Sequence, residues 1–248
     1  MGNINLTMSW DDGSLHDMRL AELLSKYDIR STFYIPKNNV EGIQVLPDTD
    51  IRELSKQFEI GCHTIDHVRL NRLPDKEHDY QIRHSKEWLE DVTGGPIQGF
   101  CYPGGVYDIR SIIAVKKAGF YYSRTTENFQ RDIDDLFEMP TTLQIHNHKN
   151  IVLSYNIIKS KNSWKRISDY YPILLTNSLS KRLEYVLDHA LKKQVSYLHF
   201  WGHSWEIDQF NNWCVLEDFF KVIKEKSQLF NLKTNYQCAL QNEKSLRS

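Results

Sequence analysis

Residues 4–35 read INLTMSWDDGSLHDMRLAELLSKYDIRSTFYI. Ile4–Trp10 has the apolar, β-rich character of a strand, and Leu20, Leu23, Leu24 and Tyr27 then recur on one helical face. Ser31–Ile35 is a second strand-like run, rich in β-branched and aromatic residues and stopped by Pro36. Strand, helix and strand in so short a span are the signature of a βα unit.

The same alternation continues along the chain. A helix is expected over Asp50–Phe58 with Thr49 or Asp50 as its cap, then a strand over Glu59–His63. Glu77–Val92 reads as a polar helix with Trp88, Leu89 and Val92 inward, ended by Gly94-Gly95-Pro96. Gly99–Pro103 is the next strand, Ile109, Ile112 and Ile113 mark a helix, and Phe120–Thr126 and Leu136–Ile145 read as strands. His146 to Ser178 shows no regular pattern. Leu183, Val186, Leu187, Ala190 and Leu191 keep a helical period before a strand at Val195–Trp201. Leu216, Phe219, Phe220 and Ile223 line a last long helix, followed by a strand near Thr234–Ala239. Seven or eight strands with intervening helices in 248 residues predict a single-domain α/β fold spanning residues 1–248, a distorted (β/α) barrel.

Composition removes several classes of function. Hydrophobic residues at 40% and charged residues at 25% predict a filled core, and 31 Lys+Arg against 32 Asp+Glu give no global attraction to nucleic acid or anionic membrane. No apolar run approaches the roughly 18–20 residues that span a bilayer. The opening MGNINLTMSW lacks a basic segment followed by an apolar one, and Cys62, Cys101, Cys214 and Cys238 contain no Cys-x-x-Cys pair. Free thiols and a cytoplasmic location are expected.

Chemistry-bearing residues fall where strands are expected to end. Ser9-Trp10-Asp11-Asp12-Gly13 closes the first strand, and could by itself be a turn. Gly61-Cys62-His63-Thr64-Ile65-Asp66-His67 closes the third; two histidines four apart share a face if one helical turn follows the strand, and with a carboxylate from the first strand they make a three-ligand metal set with open positions. Phe100-Cys101-Tyr102-Pro103-Gly104-Gly105 offers a sharp turn whose backbone N–H groups can approach a substrate. Leu198-His199-Phe200-Trp201-Gly202-His203-Ser204-Trp205-Glu206 ends a late strand with two histidines of one parity. Trp10, Trp201 and Trp205 suit either sugar stacking or packing. His78, His84 and His189 read as solvated helix residues, and His146 and His148 lie in the irregular region.

In this order the motifs resemble those of the NodB-homology polysaccharide deacetylases, carbohydrate esterase family 4, from about Leu6 to Trp205. The resemblance implies a barrel of about seven strands, Asp11 as catalytic base, and Asp12, His63 and His67 as ligands of a divalent metal. Zinc is the expected ion from the two-imidazole, one-carboxylate shell, with cobalt, nickel and manganese as alternatives. It implies an oxyanion-binding N–H at Gly104 in the Tyr102-Pro103-Gly104 loop and a late histidine as general acid. His203 is preferred to His199 because it lies at the strand's end.

Many family members carry an arginine two residues before the motif's proline, where this chain has Cys101. A thiol cannot orient a carboxylate as a guanidinium does. Arg124, at the end of the next strand, is the expected replacement, so that its loss should lower turnover far more than stability. The implied reaction is hydrolysis of an N-acyl amino sugar in a glycan, glycolipid precursor or nucleotide sugar. Alternatives on the same fold are a deformylase, a hydrolase of a non-sugar amide or ureide, and a non-catalytic carbohydrate-binding barrel. The oligomeric state is left open.

Overall fold

The computed structural model describes residues 3–159 and 163–246. Along the chain run β1 (Ile4–Asp11), α1 (Asp17–Lys26), β2 (Thr32–Ile35), α2 (Asp48–Leu54), β3 (Glu59–Cys62), α3 (Asp75–Thr93), β4 (Gly99–Cys101), α4 (Ile109–Lys117), β5 (Tyr122–Arg124), β6 (Leu143–Gln144), α5 (Asn150–Lys159), α6 (Ser163–Tyr170), α7 (Leu179–Lys193), β7 (Tyr197–Gly202), α8 (Ser204–Gln209), α9 (Trp213–Glu225), β8 (Phe230–Lys233) and α10 (Asn235–Leu246).

β1 is the hub: its apolar residues Ile4, Leu6, Met8 and Trp10 enter the hydrophobic core, while the alternating Thr7 and Ser9 are buried on its other face against His199. β7 lies along one edge over Asn5–Trp10. The other edge is shared, with β8 beside Ile4–Thr7 and β2 beside Ser9–Asp11. The full order is β5-β4-β3-β2-β1-β7-β6, and every strand pairing is parallel.

The run expected as one strand over Leu136–Ile145 is divided. Leu136–Glu138 is a 3-10 turn. Met139 then bonds to β5 (Met139 N–H to Ser123 O, 3.0 Å; Thr125 N–H to Met139 O, 2.9 Å), and Thr142 and Ile145 donate to β7 (2.8 and 2.7 Å to the His199 and Trp201 carbonyls). One extended segment thus joins both ends of the curled sheet, giving the distorted (β/α) barrel. Since all strands are parallel, Asp11, Cys62, Cys101, Arg124 and Gly202 end at one mouth.

Other expectations need correction. The last strand is Phe230–Lys233, and Thr234–Ala239 instead opens α10, with Cys238 and Ala239 buried. α2 starts at Asp48 after Pro47, so neither Thr49 nor Asp50 caps it. The stretch from His146 to Ser178 is largely helical where described; α5 has an apolar side in Leu153 and Ile157, but its outer side is apolar too, which erases the amphipathic period. α4 turns Ser111 and Val115 inward and leaves Ile109 and Ile113 exposed. His78 is buried, with Nε2 3.2 Å from the Ser111 hydroxyl. α3 ends as expected at Gly94, in the left-handed conformation (φ 73°). All four cysteines are free thiols.

Candidate active site

Adjacent residues of an unbroken strand point to opposite faces. Asp12 escapes this because its backbone is left-handed (φ 79°), and both carboxylates reach the same cleft. The turn is completed by Gly13 (φ 58°), where a Cβ would lie 2.6 Å from Ile35 Cγ2. On β3 the histidines are carried by a loop and not by the helical turn expected from their spacing. Thr64 and His67 are both left-handed (φ 64° and 54°), costing about 1–3 kcal/mol each for such residues. Gln81 of α3 holds this loop: its Oε1 accepts from the Ile65 and Asp66 N–H groups (3.1 and 3.0 Å) and its Nε2 donates to Asp66 (2.7 Å).

Asp12, His63 and His67 are all buried, with one donor atom from each within 4.8 Å of the others. The His63 Nδ1 pairs with the Cys101 carbonyl (2.8 Å), which leaves Nε2 aimed at Asp12 Oδ1, 3.7 Å away. His67 Nε2 lies 3.1 Å from the same oxygen, yet Asp12 Oδ1 has no aligned hydrogen bond and is buried. Trp205 Nε1 donates to the other oxygen, Oδ2, at 2.9 Å. Lone pairs that converge on a point without bonding one another, in an imidazole, imidazole and carboxylate set, fit a divalent metal. Burial works against ionising Asp12, but His67, His203 and His63 together outweigh it and hold the carboxyl below the usual range. Burial drives His63 down to about 4, so its ring is neutral and available as a ligand at neutral pH.

Asp11 turns the other way. It pairs with Arg124, which is fully buried, and whose guanidinium carbon lies 5.1 and 5.0 Å from the ring centres of Tyr34 and Trp201. Cys101 Sγ approaches the second Asp11 oxygen at 3.7 Å. Cys101 and Arg124 are register partners on β4 and β5, so the guanidinium comes from the neighbouring strand. His203 follows β7, with Nδ1 2.6 Å from Glu206 Oε2 and Nε2 3.8 Å from Asp12 Oδ2. Burial opposes its charge, but the Glu206 hydrogen bond and the Asp12, Glu206 and Asp11 carboxylates raise its pKa to about 9.

Asp11, Asp12, His63, His67, Pro103, Gly104, Trp201 and His203 share one cleft of ≈ 290 Å³, near the lower limit of about 300 Å³ for small-ligand sites. Gly104 (φ 62°) faces Arg69, whose Nε would be 3.2 Å from an added Cβ. Tyr102 does not join the cleft: it is fully buried, with its hydroxyl accepting from Ser123 (2.8 Å) and donating to the Phe137 carbonyl (3.2 Å). His199 is also fully buried, held by Thr7 and Ser9 at 2.6 and 2.9 Å. Trp10 belongs to the core, whereas Trp205 and His148 line the cleft. Sequence reasoning missed Gln81 and Glu206; Glu206, three residues after His203 at the start of a helix, carried a readable signal.

The family profile described as Polysaccharide deacetylase matches residues 2–123. The Bacillus subtilis (strain 168) protein YxkH is 25% identical over 122 residues, 48% of this chain and 44% of its own. A chitin deacetylase from Colletotrichum lindemuthianum is 30% identical over 92 residues, 36% of this chain and 37% of its own. The chain therefore spans less than half the length of these curated relatives. A solved structure of a polysaccharide-deacetylase-family protein from Mycobacterium smegmatis shares the fold, with a TM-score of 0.66 at 11% identity over 98% of this chain and 92% of that one. The matched motifs and the barrel agree: residues 2–123 belong with the polysaccharide deacetylase family, carbohydrate esterase family 4.

Proposed function

We propose that the chain is a metal-dependent hydrolase that removes the N-acetyl, or a related N-acyl, group from an amino sugar. The observation that carries this reading is the division between two adjacent carboxylates, Asp12 facing two histidines and Asp11 facing a buried arginine. A binding module has no use for the second arrangement. The family membership supports the amide-hydrolysing class, and the chitin deacetylase relative supports an amino sugar.

A divalent metal held by Asp12, His63 and His67, with zinc the best match to these donors, would supply Lewis acidity toward a water and the substrate carbonyl. Asp11, oriented by Arg124, accepts the proton of the attacking water. No described residue accepts a hydrogen bond from the Gly104 N–H, which is free to stabilise the carbonyl oxygen as it gains charge, an effect of about 3–4 kcal/mol for such a donor. His203 donates its proton to the departing amine nitrogen, which is too poor a leaving group as an anion. Products are the free carboxylic acid and the amino sugar.

The direct test is acid release from N-acetylglucosamine oligomers by the zinc-loaded protein, with formyl analogues in parallel. Asp11→Asn should retain stoichiometric zinc while turnover falls by about 10²–10⁴, the range of a general base. Wild-type turnover in that variant would remove Asp11 from the mechanism.

His203 adds a pH prediction. Its pKa is raised, so the acid form persists at neutral pH and is lost as pH rises through about 9, giving an alkaline limb to turnover. A bound cation lowers that limb in wild type and variant alike. Glu206→Gln removes the largest opposing support and should move the limb down by roughly one pH unit, a change of about 1.4 kcal/mol. An unmoved limb would mean that Glu206 does not act through His203.

A further inference from the structure

The balanced net charge hides an uneven distribution. Between Glu138 and Asp169 the sequence has no acidic residue but several basic ones, of which Lys149 and Lys159, at the two ends of α5, are exposed whereas Arg166 is buried against Gln130. This stretch includes α5, which is apolar on two opposite sides. Leu153 and Ile157 are buried, whereas Ile151, Tyr155 and Ile158, at i, i+4 and i+7, are 76%, 61% and 64% exposed. A helix that needs only to pack on the barrel would turn polar residues to water along that stripe. Tyr171 and Leu175, from the 3-10 turn Tyr171–Leu175 that contacts α5, are also exposed. Single exposed apolar residues are ordinary, but here three on α5 gather with two on the adjoining turn.

A third side of α5 faces the active-site region. Asn156 lines the cleft, and together with Lys159 it also lines an adjoining hollow that shares Gly104, Thr126 and Asn128 with the cleft. The apolar stripe therefore runs alongside the site and leaves it open.

We propose that α5 and the turn Tyr171–Leu175 form a docking surface for an anionic lipid membrane. Isoleucine and tyrosine side chains enter the headgroup–acyl boundary, while the exposed Lys149 and Lys159 at the ends of α5 meet the negative surface potential, as in interfacial amphipathic helices. Among the described residues no helix is long and apolar enough to cross a membrane. The lysine complement is what selects an anionic bilayer over a second copy of this chain, whose matching face would carry the same positive charge. Docking so close to the cleft makes a lipid-linked amino sugar the favoured substrate, a corollary that rests on the hydrolytic reading above.

The test is co-sedimentation of the full chain with vesicles of phosphatidylcholine alone and of phosphatidylcholine containing about 30 mol% phosphatidylglycerol. Binding should favour the anionic vesicles by about tenfold or more at low salt and weaken as sodium chloride is raised. Ile151→Asp/Ile158→Asp should lower that binding by at least about tenfold while leaving hydrolysis of a soluble chromogenic acetyl ester unchanged. Absence of binding, equal binding to both vesicle types, or a double variant that binds like wild type overturns the proposal. So does a concentration-dependent dimer in sedimentation velocity that the double variant abolishes, which would give the face to a second copy. Ester hydrolysis is read separately, so a wild type that binds vesicles without turnover overturns the enzymatic reading and leaves the docking surface standing.

Discussion

Substitution of His67 by asparagine is expected to weaken zinc binding by more than about 100-fold, because changes to the outer partners of metal ligands already cost about 10–100-fold. Asparagine is the informative choice because position 67 is left-handed (φ 54°), a conformation it tolerates far better than most residues. His67→Ala should give the same loss of metal, with little added backbone strain because the wild-type residue already holds that left-handed conformation. Without His67 the Asp12 carboxyl also loses the leading interaction that offsets its burial, so its pKa moves back up and the remaining two-donor set is weaker still. Turnover should fall with metal content, measured as zinc per chain after dialysis and as acid release at saturating zinc. A His67→Asn protein that keeps stoichiometric zinc and full turnover would show that the histidine pair is structural. The contrast is with Asp11→Asn, expected to lose turnover and keep zinc. The two adjacent aspartates are separated by what each faces and not by their sequence position.

That separation marks the limit of what the sequence discloses. The βα alternation is legible because strands such as Ile4–Asp11 alternate apolar and polar residues with period two, and helices such as α7 and α9 bury one periodic face. It fails at Leu136–Ile145, where one apolar run serves two different strands, and at Thr234–Ala239, where a β-rich composition is overridden by docking of Cys238 and Ala239 as a helix. It also fails at α5, whose outer face keeps apolar residues that packing does not require. The histidine spacing suggested a helical turn, but the local backbone is a loop strained at Thr64 and His67 and tied to a distant helix by Gln81. No local pattern encodes a partner 15 or 16 residues away. Tyr102 shows the converse: a motif residue beside the cleft in sequence turns its side chain into the core.

Arg124→Met is expected to reduce both stability and turnover, which alters the expectation drawn from sequence. There Arg124 was a strand-end residue whose loss should touch turnover far more than stability; the fold places it at 0% exposure against an Asp11 carboxylate at 2%. Removing one partner of a buried ion pair strands the other, at about 3–5 kcal/mol. For a domain of this size, at about 2–4 °C per kcal/mol, that is a melting point roughly 6–20 °C lower. Equal losses in the single variant therefore decide nothing about catalysis, and the double variant does. Arg124→Met/Asp11→Asn should regain most of the lost stability, since no charge is left unpaired, while turnover stays at the level of Asp11→Asn. If the double variant is as unstable as Arg124→Met, the pair is not the source of the loss. The register of β4 and β5 permits a sharper form of the test. Cys101 and Arg124 are direct Cα partners, so exchanging them as Cys101→Arg/Arg124→Cys conserves composition and returns a guanidinium beside Asp11 from the other strand. Relative to Arg124→Met, the exchange should recover at least about tenfold in turnover, the equivalent of roughly 1.4 kcal/mol, and part of the melting temperature. Recovery of stability without turnover would leave Arg124 as a structural counter-ion only; recovery of both would show that what Asp11 requires is a cation in that place, whichever strand supplies it.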